Sequence, residues 1–185
     1  ILRDLAGGKI SVEAAADRLE APPASENLGY ARLDHHRSRR KGFPEVIFGA
    51  GKNAEQICGI MDRLGRREKV VLVTRISSEN AAEVCRRFPV ANYHPEAKMI
   101  VWCKEAPKII GRGTVAIFSA GTSDIPVARE ACLTAEAMGN RVETVFDVGV
   151  AGIHRLFEHL DLIQSAAVLI VVAGMEGALP SVVAG

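Results

Sequence analysis

The stretch Val115-Ala116-Ile117-Phe118-Ser119-Ala120-Gly121-Thr122-Ser123-Asp124-Ile125-Pro126 decides the fold class. Its first half is an apolar run of β-branched and aromatic residues, which predicts a buried strand over 114–118. Its second half is a short turn of Gly, Thr, Ser and Asp, and Pro126 suits the first turn of a helix, expected over 125–138. A strand that passes through so short a turn into a helix is the repeating unit of a parallel α/β sheet. Such a turn also aims backbone N–H groups and the positive end of the helix outward, where hydroxyls and a carboxylate can grip a phosphorylated sugar. An ordinary βα loop with Asp124 as the helix cap accounts for the same residues.

The alternation continues outward from this stretch. Strand patterns at 45–48, 69–74, 98–102, 142–147 and 167–173 interleave with helical patterns at 53–64, 78–88 and 151–160. Upstream, Ser11 to Leu19 reads as a short helix with Ser11 as N-cap, ended by Pro22-Pro23. A polar strand is expected over 28–33 and a charged run follows from Asp34 to Lys41. Ala106-Pro107 and Gly111-Arg112-Gly113 punctuate the middle of the chain. The expected architecture is α/β: two small α/β units with mainly parallel sheets covered on both faces. Residues 1–27 would be a helical segment and linker, 28–110 a first α/β domain, and 111–185 a second. Ser181 to Gly185 reads as the first turn of a helix after a buried strand, so the second domain is expected to be incomplete.

Composition limits the function classes. The 185 residues are 48% hydrophobic and 24% charged with a formal net charge of +1, without the basic excess of a nucleic-acid binder. The longest apolar run, Ala166 to Ala173, is too short to span a bilayer. A soluble protein with no nucleic-acid or membrane partner is expected, with the cytoplasm as its compartment. The four cysteines, Cys58, Cys85, Cys103 and Cys132, show no metal-ligand spacing and no disulfide pattern. Cys58, Cys85 and Cys132 fall on apolar helical stripes and read as core residues. Cys103 follows a strand and is the one thiol placed to reach a site, although packing explains it as well.

Four further segments could carry chemistry. Gly49-Ala50-Gly51-Lys52-Asn53-Ala54 follows a strand and opens a helix, matching a loose dinucleotide fingerprint, with Gly49, Gly51 and Lys52 as phosphate contacts. A tight βα turn is an equal reading. Asp34-His35-His36-Arg37-Ser38-Arg39-Arg40-Lys41-Gly42-Phe43-Pro44-Glu45 is either a solvated charged loop or a clamp in which Arg37 and Arg40 hold phosphates. Val150-Ala151-Gly152-Ile153-His154-Arg155 opens a helix whose apolar stripe leaves His154 and Arg155 outside, so His154 is placed as an acid/base or as a solvated surface residue. Ala173-Gly174-Met175-Glu176-Gly177-Ala178-Leu179-Pro180 is a Gly-rich turn at a strand's C-terminal end, where open α/β sheets bind ligands.

Three of these segments recur together and in order in a known family. A-G-T-S-D-I-P at 120–126, G-I-H-R at 152–155 and A-G-M-E-G-A-L-P at 173–180 resemble the PurE family of aminoimidazole ribonucleotide carboxylases. In that family the first segment reads G-S-x-S-D-W-P, the second supplies a catalytic His and the third walls the pocket. Ala120-Gly121 and Ile125 depart from its pattern. D-H-H-R-S-R-R-K-G-F-P-E-V at 34–46, F-G-A-G-K at 48–52 and F-S-A-G-T-S-D-I-P-V-A at 118–128 are similar to the LarB family of nickel-pincer nucleotide cofactor biosynthesis, whose C-terminal domain is PurE-like.

The resemblance implies a flavodoxin- or Rossmann-like second domain. It also implies carboxylation of the pyridinium ring of nicotinic acid adenine dinucleotide, with hydrolysis of its phosphoanhydride to a dicarboxylated mononucleotide and AMP. Catalytic roles would fall to His154 and Asp124. Substrate contacts would come from Ser119, Gly121, Thr122, Ser123, Asp124, Arg155, Gly174, Met175, Glu176, Gly177, Arg37, Arg40, Glu45, Gly49, Gly51 and Lys52. Carbon dioxide or bicarbonate would be the co-substrate, Mg2+ is expected for anhydride cleavage, and a homo-oligomer is implied, an octamer at full length. A PurE-type purine carboxylase and a non-catalytic nucleotide-binding module are the alternatives.

The implied chemistry sets one further demand. A pyridinium carbon is electron-poor and does not attack CO2 until a nucleophile has added to the ring. In LarB-like proteins that nucleophile is assigned to a cysteine of the C-terminal region, which is expected to lie beyond Gly185. These 185 residues would then be catalytically inactive.

Overall fold

The computed structural model describes residues 1–19 and 25–185, so the Pro22-Pro23 break lies outside the described residues. Contacts between Cα atoms divide the chain into two units, Ile1–Glu45 and Val46–Gly185.

In the first unit, helices α1 (Leu2–Ala6) and α2 (Val12–Leu19) precede an antiparallel hairpin, β1 (Ser25–Asn27) with β2 (Arg32–Asp34). Ser11 Oγ accepts from Ala14 N–H at 3.1 Å, the capping role its sequence position implies. The single strand expected over 28–33 is replaced by the hairpin's turn. Asn27 Oδ1 accepts from Gly29 N–H at 2.9 Å, and Gly29 supplies the positive φ of 84° that this turn needs. The charged run coils into a short helix, α3 (Arg37–Lys41), which Gly42 ends in the left-handed conformation.

The second unit holds two sheets. The first has the order β3 (Ile47–Phe48), β4 (Val70–Thr74), β6 (Met99–Cys103), β5 (Asn92–His94). It is mixed, correcting the expectation of parallel pairing: β3 and β4 are parallel, but β6 runs antiparallel to both β4 and β5. The polar segment Asn92–His94 forms a strand of its own, and a tight turn with Lys98 at φ 49° folds β6 back between β5 and β4. Helices α4 (Ala54–Arg67) and α5 (Ser78–Arg87) complete this half. Asn53 and Gln56 form a reciprocal capping box at the start of α4, and Ile57, Cys58, Ile60, Met61 and Leu64 form its buried stripe.

The second sheet is wholly parallel, with the order β8 (Arg141–Val145), β7 (Thr114–Ser119), β9 (Val168–Val172). Inward-facing side chains alternate along β7. Ile117 packs with Ala128 and Cys132 of α6 (Ile125–Ala137) on one face. On the other face Ala116 and Phe118 pack with Leu156 of α7 (Ile153–Phe157) and Leu179 of α9 (Leu179–Ala184). The helix expected over 151–160 is broken instead: a 3-10 turn at Val150–Gly152 leads into α7, and α8 (Leu160–Ser165) starts afresh. Helix α6 also carries Glu130, whose carboxylate lies 3.1 Å from Arg75 Nε, and Arg129, whose Nε lies 3.5 Å from Glu96. The two sheets that sequence alternation assigns to separate domains therefore belong to one unit.

Candidate active site

Strands β7, β8 and β9 are parallel and end nearly level, with Phe118 opposite Val145 and Ser119 opposite Val172. Their three following loops therefore open at the same edge of the sheet, where ligands of open α/β sheets bind. A cleft of about 420 Å³ lies there, lined by Ala120, Gly121, Ser123, Asp124, Gly149, Val150, Ala151, Met175, Glu176 and Leu179.

Asp124 joins two of the loops. Its Oδ2 accepts from Gly121 N–H at 2.9 Å, and its Oδ1 accepts from Gly174 N–H at 3.0 Å. Both oxygens thus receive a backbone donor, one from the loop after β7 and one from the loop after β9. Bonds to an ionised acceptor are stronger than neutral ones, so this half-buried carboxylate clasps the cleft's two sides together. A Cβ on Gly174 would stand 3.1 Å from Asp124 Oδ1, so a larger residue there would press the carboxylate aside by a few tenths of an ångström.

The loop after β8 is tied in by a different device. Ser119, at the end of β7, is fully buried. Its hydroxyl faces Asp147 N–H at 3.4 Å, and its carbonyl accepts from Val148 N–H at 3.0 Å. Asp147 Oδ2 accepts from Arg155 Nη1 at 2.6 Å.

The sequence-derived residues are placed unevenly. Gly121, Ser123, Asp124, Met175 and Glu176 line the cleft. Thr122 lies in the 3-10 turn Thr122–Asp124, Gly174 bonds to Asp124, and Gly177 supplies a positive φ of 63° to the last loop. Ser119 is a buried strut, and Arg155 is engaged with Asp147. His154 is exposed on α7 and stands outside the cleft lining. Sequence reading missed Asp147 and Gly149, and took Val150 and Ala151 only as the opening of a helix rather than as a wall of the cleft. The signal available was the compact run D-V-G-V-A-G before the helix, whose small residues permit close approach: a Cβ on Gly149 would come within 2.8 Å of Ala120 O.

The Gly49–Ala54 loop is held by bonds of its own. Gly49 N–H donates to Thr74 O at 2.7 Å, and a Cβ on Gly49 would lie 2.9 Å from the same oxygen. Lys52 Nζ donates to Phe48 O at 2.7 Å, and Asn53 Oδ1 takes the Gln56 amide at the mouth of α4. In the first unit, Arg40 donates through both terminal nitrogens to the two oxygens of Asp34, whose backbone N–H donates to Glu45 Oε2 at 2.7 Å. The Arg40 bonds hold the Asp34 carboxyl below its ordinary pKa against the opposing effect of burial, with the His36 amide and the nearby Arg37 charge adding to the lowering. Arg37 is exposed on α3.

All four cysteines are free thiols. Cys58 and Cys132 are buried and Cys85 is half-buried, near the expected core roles; Cys103 is half-buried too. Burial pushes every one of these thiols up, Cys132 to about 11 with Glu136 adding to the effect. A reactive cysteine needs the reverse, a lowered pKa and an open, electropositive setting. Among the described residues no group of three or more His, Cys, Asp or Glu is arranged to hold a metal ion. With Asp124 already bonded on both oxygens, the cleft does not fit a dedicated magnesium cage. Among the described residues no helix is long and apolar enough to cross a membrane.

The profile of the LarB/PurE-like N-terminal domain matches residues 25–104. An uncharacterised protein of Methanocaldococcus jannaschii, MJ0165, is 38% identical over 194 aligned residues, covering 99% of this chain and 76% of that protein.

Proposed function

We propose that this chain, which carries a LarB/PurE-like N-terminal domain over residues 25–104 and belongs to one family with that archaeal protein, serves the carboxylation of nicotinic acid adenine dinucleotide. The LarB/PurE-like domain ties it to carboxylase-type enzymes of the PurE superfamily. The finer reading is that the pyridinium ring gains a second carboxylate and the phosphoanhydride is hydrolysed, giving pyridinium-3,5-biscarboxylic acid mononucleotide and AMP for a nickel-pincer cofactor. One observation carries it: the segments that resemble PurE at 120–126 and 173–180 meet in a single cleft, joined through Asp124.

The chain's own residues would then divide the work as follows. The Gly121–Asp124 turn holds the sugar phosphate with Ser123 and Thr122, while Met175, Glu176 and Gly177 cover the ring. Asp124, bonded on both oxygens, shapes the cleft. His154 is the proposed base for the C5 proton, removed after the ring carbon has attacked CO2. Arg37 and Arg40 are assigned to phosphate binding in the first unit, with Glu45 steadying Asp34. In the second unit Gly49, Gly51 and Lys52 are assigned to phosphate binding. Magnesium would be carried in by the dinucleotide's own phosphates. A cytoplasmic homo-oligomer is part of the same proposal.

Ring activation requires a thiolate, and the four thiols here are all raised in pKa. These 185 residues are therefore expected to bind the dinucleotide without turning it over. The test is mass spectrometry after incubation with nicotinic acid adenine dinucleotide and bicarbonate. Saturable binding, no carboxylated product and no cysteine adduct is the expected result. Product formation, or an adduct on Cys103, would overturn the assignment of the thiols as inert. Failure to bind the dinucleotide would overturn the substrate.

A further inference from the structure

The loop after β8 supplies one wall of the cleft, and the polar network that holds it has no role in the reading above. Asp147 has a positive φ of 59°, a conformation that Asp tolerates better than most residues bearing a Cβ. Its N–H faces Ser119 Oγ, and the following amide donates to Ser119 O, so the start of the loop is fastened to β7. Its carboxylate takes Arg155 Nη1 at 2.6 Å, which fastens the far end of the loop through α7. The guanidinium lies flat enough on Gly152 that a Cβ there would stand 2.7 Å from both Nε and Nη2. Gly149, Val150 and Ala151, the part of the loop that lines the cleft, sit between these two fastenings.

The ion pair is 41% exposed on the Arg155 side and 49% on the Asp147 side. Pairs so open to solvent add little to global stability. The network also leaves Arg155 outside the cleft lining. Its consequence is geometric: with Gly152 as its bed and Asp147 as its stop, the guanidinium fixes where the wall stands.

We propose that Asp147 is a positioning residue that clamps Arg155 across Gly152 and so sets the Gly149–Ala151 wall for a nucleotide ligand. Arg155 acts through the wall rather than as the ligand's charge partner. The affinity consequence rests on the cleft being a nucleotide site, as proposed above; the clamp itself does not.

The competing arrangement, in which Asp147 merely parks an arginine destined for the ligand, predicts the opposite sign. Freeing Arg155 would then tighten binding. The experiment uses the full chain with Asp147→Asn, which removes the charge at nearly constant size, and Gly152→Ala, which keeps both charges and displaces the guanidinium. Titration calorimetry with nicotinic acid adenine dinucleotide should show both variants binding about tenfold more weakly, the scale of loss expected when a cleft wall shifts. Hydrogen exchange of amides 146–152 in the free protein should quicken in both, with the melting temperature held within about 2 °C. Tighter or unchanged binding by Asp147→Asn would overturn the proposal, as would unchanged exchange of the wall amides. Should the unaltered chain fail to bind the dinucleotide, the substrate reading fails, and the exchange measurement still decides whether Asp147 holds the wall.

Discussion

Replacing Asp124 by Ala removes the acceptor of two backbone donors that belong to different loops, Gly121 N–H at 2.9 Å and, 50 residues from Asp124 in sequence, Gly174 N–H at 3.0 Å. Hydrogen bonds to a charged acceptor contribute about 1.5–3 kcal/mol each where water is excluded. Here Asp124 is half-buried and Gly174 exposed, so water takes over part of each bond and about 1 kcal/mol apiece is the better figure. The sum, about 2 kcal/mol, corresponds to about a thirtyfold shift in the local opening equilibrium of the clasp. The loss should stay local, because α6 keeps Pro126 in its first turn and its buried Ala128 and Cys132. Hydrogen exchange resolved on peptides 119–125 and 172–178 is the assay. Asp124→Asn, which retains one acceptor oxygen, should give roughly half the free-energy effect. Should the Gly174 amide exchange at the same rate with and without the carboxylate, the clasp does not persist in solution. Asp124 would then be free to transfer protons.

Three further outcomes are expected. Arg40→Ala should return the Asp34 carboxyl toward its ordinary value, since the Arg40 bonds are the largest cause of its lowering. A carboxyl lowered in the folded state contributes stability that is present above its unfolded pKa, about 3.9, and lost as pH falls through the folded value. The variant's melts should therefore lose that part of the acid-side slope; identical slopes from pH 2 to 6 would refute it. The same variant should bind the dinucleotide more weakly in a salt-sensitive way, and unchanged affinity would leave the basic run with a solvated role. Gly49→Ala should cost about 1–3 kcal/mol by urea unfolding, as an overpacked position does, because its Cβ would meet Thr74 O at 2.9 Å and Ile76 Cα at 3.2 Å. A neutral effect would contradict the close packing of that loop.

Much of the second sheet could be read from the chain, because β7 and β9 are apolar runs bounded by punctuation and β8 lies between the ends of two helical patterns. The segment 114–118 became β7 at Thr114–Ser119, and 125–138 became α6 at Ile125–Ala137. Parallel pairing followed from the alternation. The first sheet misled for a local reason: Asn92-Tyr93-His94 carries no apolar alternation, so the strand that lets β6 turn back was invisible, and with it the antiparallel pairing. The broken helix after β8 was hidden as well. Ile153, Leu156, Phe157 and Leu160 share one helical spacing, and only the 3-10 turn at Val150–Gly152 and the restart at Leu160 divide it.

The candidate site was legible as a set of loops and illegible as a set of roles, and the reason is physical. Residue type reveals which groups could accept or donate, but whether their lone pairs are already used depends on partners far away in sequence. Asp124 reads as a catalytic carboxylate until Gly174 and Gly121 are seen to hold both its oxygens. Ser119 reads as a phosphate contact until its burial beneath Asp147 N–H is seen. In the free chain the Lys52 ammonium rests on Phe48 O and both terminal nitrogens of Arg40 on Asp34, so each must exchange a bond to meet a phosphate. In each case a polar side chain near a βα loop serves first to hold backbone in place. A cleft built from three separate loops needs such bonds, because none of its walls is continuous with another along the chain. The polar residues of this edge therefore divide between those that hold the cleft and those left to meet a ligand, and on the proposed reading Ser123 and Glu176, which line it with no side-chain hydrogen bond among the described residues, belong to the second group.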